Sequence, residues 1–171
     1  MYYEKRTLRF SWLAAVLAGV GLHFLYDLLP YWWMAFFAPI NESIWEHTKV
    51  IFWPYLAVAL LLNRGRPGGI RPWLLVLPVI CVGMLALGYG YHVLLAGDRL
   101  WVDIAIYLLA MTVGFVLPPR CSGPFDGPGW WIPGAMTGLL GAAIFRFTLW
   151  PPESVLFADL SAVRTWLTIP F

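Results

Sequence analysis

Five apolar windows, each long enough to cross a bilayer as a helix, constrain this chain more than any other feature of its sequence. They fall at roughly 9 to 28, 44 to 63, 73 to 95, 100 to 118 and 130 to 150, against the ~20 residues that a hydrocarbon core requires. An open strand in lipid would leave backbone groups unpaired, so every window is expected to be helical. With 61% hydrophobic residues, 12% charged residues and a mean hydropathy of +0.74, the chain lies far outside the usage of soluble domains. The expected fold is an all-α integral membrane protein: a single membrane-embedded domain over residues 1–171, bundling about five transmembrane helices.

Between the first two windows, "LPYWWMAFFAPI" is too short to cross. Its prolines and aromatics predict an interfacial segment over residues 29–40, either re-entrant or lying on the surface, because amphipathic rings prefer the membrane boundary. The basic start "EKRTLRF" followed by an apolar run has the outline of a signal peptide, but the run is too long for one and reads as an uncleaved first span. Cys81 falls in an apolar segment and Cys121 in a predicted cytoplasmic loop, so no disulfide is expected. The formal charge of +2 comes with no basic block, which removes nucleic acid from the expected partners. Membrane lipids are the expected partner, with a membrane-protein partner or a homo-oligomer left open.

Charge placement orients the bundle. Lys5, Arg6, Arg9, Arg64, Arg66, Arg71 and Arg120 all fall on one side if five spans alternate, and short loops rich in Lys and Arg face the cytoplasm. The expected location is a bacterial inner (plasma) membrane, with the N-terminus cytoplasmic and the tail from Pro151 extracytoplasmic. Most acids and all three histidines then collect on the outer side. At 1.5 Å of rise per residue, His23, His47, His92, Asp103 and Arg146 lie within ~7 to 11 Å of their helices' outer ends. Ionisable groups at such depths usually face a bundle interior or a hydrated cavity. An outward-opening polar site is therefore expected.

The segment "NESIWEH" carries the densest chemistry. Ser43 followed by Glu46 is a capping box, and capping together with the helix dipole accounts for Asn41, Ser43 and the carboxylates. It does not account for His47. Carboxylates beside imidazoles at one depth could hold a divalent metal, zinc before others, with a spare carboxylate activating its water. Alternatively His47 could deprotonate Ser43, with Asp27 orienting the base. "HFLYD" puts His23 and Asp27 on one helical face, as ligands or as a ligand with its orienting partner, unless Asp27 is simply solvated. "YGYH" and "DRLWVD" bring Tyr89, His92 and Asp103 to the same slab. Arg146 either snorkels outward or serves as counter-ion to Glu42, Glu46 or an anionic substrate.

In order, "GLHFLYD", "FFAPINESIWEHTKVIFWP", "LWVDIAIYLLA" and "FTLWPPESVLFAD" resemble segments of an uncharacterised family of small bacterial polytopic membrane proteins, a domain of unknown function. The resemblance covers most of the chain and implies a compact helical bundle with no established activity. This chain departs from the family pattern at Glu153, where relatives tend to carry histidine, and at His92, where they tend to carry threonine.

The leading expectation is a metal-assisted hydrolase or transferase acting on a lipid or other amphiphile at the outer leaflet. Its expected ligands are His23, His47 and Glu46, joined by Asp27 and Asp103. Glu42 is the candidate base, while Ser43, Glu46 and His47 complete the catalytic candidates. Asn41, Tyr89, His92, Arg146 and Glu153 are candidate substrate contacts. Two other classes stay open: a carrier of protons, ions or small solutes using the same groups as a relay, and a non-catalytic subunit of a larger membrane assembly.

Overall fold

The computed structural model describes residues 3–66 and 68–162. Five α-helices form one bundle: α1 (Lys5–Leu28), α2 (Thr48–Leu62), α3 (Arg71–Tyr89), α4 (Leu100–Val116) and α5 (Ile132–Leu149). No strand occurs among the described residues. A π-helical turn, Gly90–Leu94, prolongs α3. Four helical stretches are long and apolar enough to cross a membrane: Lys5–Leu28, Arg71–Leu94, Leu100–Arg120 and Pro128–Leu149.

The second window behaves differently from the others. A helix from 44 to 63 is expected, but α2 spans only the 15 residues Thr48–Leu62, about 22 Å at 1.5 Å per residue, short of the ~30 Å hydrocarbon thickness. The cause is local. Residues 44–47 form turns instead, because the side chains of Asn41 and Ser43 take backbone N–H groups and Glu46 bonds back to Ile40.

The bundle packs α1 on α2 and α4, and α3 on α2, α4 and α5. Its core joins Tyr55, Trp73 and Phe115 in edge and tilted ring contacts, flanked by the fully buried Ile51, Leu77 and Met111. Tyr55 donates its hydroxyl to the Gly114 carbonyl at 2.9 Å, which keeps a buried polar group satisfied. The opposite faces carry exposed Leu13, Leu17, Val20 and Phe24 on α1 and Leu139 on α5.

A tight contact of α1 with α2 at Gly19 sets the position of the site. A side chain at Gly19 would meet the Tyr107 hydroxyl, and would come within 2.5 Å of the Val50 carbonyl oxygen. Tyr107 in turn donates to the Val16 carbonyl at 2.9 Å. His23 lies one turn beyond Gly19, and His47 lies three residues before Val50, so the contact that only glycine permits holds these two histidines face to face.

The connector between α1 and α2 dips into the bundle. Its single turn, Met34–Phe36, is tied down by Lys49 Nζ donating to the Ala35 carbonyl at 2.7 Å and by Trp53 Nε1 donating to the Phe36 carbonyl at 3.0 Å. Phe36 and Phe37 pack against Phe145 and Trp53, while Trp32 and Trp33 stay exposed. The tail closes over the same end, where the Trp45 backbone N–H donates to the Leu156 carbonyl at 2.9 Å and the Trp45 ring packs on Phe147 and Phe157.

Candidate metal centre

Three side chains from three parts of the chain converge at the connector end of the bundle. His23 comes from α1, Glu42 from the connector and His47 from the residue preceding α2, and one ligand atom of each lies within 4.8 Å of the others. His23 Nε2 is 3.7 Å from Glu42 Oε1, and His47 Nε2 is 3.4 Å from Glu42 Oε2. The two imidazole centroids are 5.2 Å apart, with the rings tilted by 35°. The carboxylate thus lies between two imidazoles, and all three side chains are partly open to the exterior.

A hydrogen bond fixes which nitrogen of His47 is presented. Its Nδ1 lies 2.8 Å from the Ser43 carbonyl oxygen, which can only accept, so Nδ1 carries the proton. In the neutral ring Nε2 is then a bare lone pair facing a carboxylate. Two acceptors in contact call for a cation between them, either a proton or a metal, and a backbone carbonyl on the far nitrogen is the usual way a metal-binding histidine is oriented. Hydrogen bonding and charge from His47, reinforced by His23, hold the Glu42 carboxyl below its ordinary value, against the opposing effect of partial burial.

A second pair borders this triad. The π-helical turn buries His92, whose Nδ1 lies 2.9 Å from the Gly97 carbonyl oxygen and whose Nε2 lies 2.7 Å from Asp103 Oδ1. Nδ1 must donate to that carbonyl, and a proton is shared across the contact with Asp103. Asp103 is within electrostatic reach of His47, and His47 of His92. His92, expected as a substrate contact, is instead a partner for Asp103, and Asp103 spends one oxygen on it. The pairing was not legible in the sequence, since the two residues lie on different helices.

Several expected roles are corrected by these contacts. Glu46 is outside the triad: its carboxylate is buried, accepts the Ile40 N–H at 2.9 Å and pairs with Lys49 Nζ at 2.5 Å. Ser43 is buried, with its hydroxyl accepting the Glu46 N–H at 3.2 Å, and His47 bonds its carbonyl and not its hydroxyl. That arrangement is half of a capping box and leaves no activated nucleophile. Asn41 accepts the Ser43 N–H at 3.0 Å and so shapes the turn. Asp27 is exposed at the end of α1 and forms no ion pair with His23 among the described residues. Arg146 is exposed and stacks on Trp150 at 4.5 Å, with no carboxylate beside it among the described residues. Tyr89 ends α3 half-buried, and Glu153 is exposed on the tail; neither belongs to the triad.

The residue the sequence reading undervalued is Lys49, fully buried, which bonds Glu46 and the Ala35 carbonyl together. Its signal was the spacing of Glu46 and Lys49, three apart on one face. The lysine holds the turn that carries both Glu42 and His47.

No curated protein and no solved structure matches the chain. The model of a family of unknown function (DUF6512) matches residues 3–165, and the chain belongs to that family.

Proposed function

We propose that this membrane protein binds one divalent metal ion, zinc before others, through His23, Glu42 and His47, and uses it as a hydrolase or transferase on a lipid or other amphiphile. The observation that carries the reading is the convergence of three ligand atoms within 4.8 Å, with the His47 tautomer set by the Ser43 carbonyl. Two imidazoles and one carboxylate form a ligand set found in catalytic zinc sites, where a remaining position admits water or substrate.

The chemistry assigned to the ion is to acidify a bound water and polarise the scissile group. Glu42, facing both imidazoles, is better suited to ligation than to the role of base. Asp103 is the better candidate for accepting the water's proton, because His92 occupies only one of its oxygens and its side chain is partly exposed. The exposed Leu28, Trp32, Leu94 and Trp101 that ring this end favour an amphiphile whose apolar part stays in the membrane.

Elemental mass spectrometry on detergent-purified protein tests the reading. About one zinc per chain is expected in the wild type, with loss in His23→Ala/His47→Ala. A metal-free wild type, purified without chelator and refractory to zinc loading, would refute it and turn attention to a proton or solute relay.

A further inference from the structure

At the opposite end of the bundle, Tyr3 is clamped in place. Its hydroxyl donates to Asn63 Oδ1 at 2.5 Å and accepts from Trp73 Nε1 at 3.0 Å, and both partners are buried. The Arg66 guanidinium sits 4.8 Å from the Tyr3 ring centre, a cation–π contact that gives an otherwise exposed arginine a defined seat. No carboxylate among the described residues lies within ion-pair range of Arg66. The arginine borders a cleft of about 460 Å³ between the start of α1 and the end of α2, lined by Tyr3, Glu4, Thr7, Leu61 and Leu62 besides itself.

We propose that this cleft binds the headgroup of an anionic glycerophospholipid that carries free hydroxyls, of the phosphatidylglycerol type. The phosphate pairs with Arg66, whose positive charge is held without a neutralising partner. Glu4 and Thr7 then face the hydroxyls of the headgroup, for which a carboxylate is an acceptor and not a repulsive neighbour. Leu61, 69% exposed, continues the cleft along α2 as an apolar strip for the acyl chain. The surrounding charge favours the same ligand, since among the described residues this end carries seven basic residues and, of acids, only Glu4 and Asp126. The site is independent of the metal centre.

Native mass spectrometry of the delipidated full chain tests this, with phosphatidylglycerol, phosphatidic acid and phosphatidylcholine of identical chains, and with glycerol phosphate as a soluble probe. One phosphatidylglycerol is expected to be retained above both other lipids, with glycerol phosphate failing to bind. Arg66→Gln is expected to lower that retention about fivefold, the worth of one basic residue at an anionic surface. Arg71→Gln should leave it unchanged, because Arg71 lies outside the cleft and donates to the Phe125 carbonyl. Equal retention of phosphatidylglycerol and phosphatidylcholine, or unchanged retention in Arg66→Gln, would overturn the proposal. Retention of phosphatidic acid equal to phosphatidylglycerol would overturn the role of Glu4 and Thr7, and binding of glycerol phosphate alone would overturn the lipid as ligand.

Discussion

Replacing Lys49 with methionine isolates the contact that holds the candidate site together. The side chain is 0% exposed and its ammonium lies 2.5 Å from Glu46 Oε2 and 2.7 Å from the Ala35 carbonyl oxygen. Lys49→Met preserves the apolar stem but leaves a buried carboxylate whose one remaining partner among the described residues is the Ile40 N–H. Removing one member of a buried ion pair costs about 3–5 kcal/mol, because the surviving charge stays desolvated and unpaired. For a chain of this size each kcal/mol moves the midpoint by roughly 2–4 °C, so Tm is expected to fall by about 6–20 °C. Lys49→Met/Glu46→Gln is expected to recover most of that loss, since the amide oxygen still accepts from Ile40 and no charge is stranded. Circular dichroism at 222 nm through a thermal ramp, in one detergent for all three proteins, reads both effects. A Lys49→Met midpoint within about 2 °C of wild type, under 1 kcal/mol on that scale, would refute the reasoning. So would a double variant no more stable than the single one, which would mean that Lys49 acts through packing and not through its charge.

Two further outcomes follow from the geometry. Gly19→Ala places a methyl against the Tyr107 hydroxyl and 2.5 Å from the Val50 carbonyl; overpacking there should cost about 1–3 kcal/mol in thermal unfolding and weaken zinc binding by separating His23 from His47, whereas Gly21→Ala, with open space around it, should change neither. Glu42, with its folded pKa held down by His47 and His23, stabilises the metal-free protein above the ordinary carboxylate range, and that contribution is lost as pH falls through the depressed value; the Tm gap between wild type and Glu42→Gln should be open at pH 6 and closed near pH 2, and a gap that widens on acidification would reverse the assignment.

The pattern of correct and corrected expectations has a physical origin. Expected windows at 73 to 95 and 100 to 118 correspond to the stretches Arg71–Leu94 and Leu100–Arg120, because a long apolar run in lipid has one way to satisfy its backbone. The start of α2 was misplaced by four residues, since hydropathy does not register that Asn41, Ser43 and Glu46 spend their side chains on local backbone groups. Among the polar residues, a common depth grouped His23 with His47, and the structure places the two beside each other. It could not separate Glu42, which faces them, from Glu46, which is only four residues away and bound to Lys49.

The sequence by itself determined that the chain is an all-helical membrane bundle and that its histidines share one end, since both depend on hydropathy and on rise per residue, which are local quantities. Only the tertiary structure decided which carboxylate meets which histidine. That choice depends on a glycine where α1 touches α2, on a buried lysine that draws Glu46 inward, and on a carbonyl that turns the His47 ring toward Glu42. Each is a contact in which direction and distance matter, and a sequence read along one helix at a time contains neither.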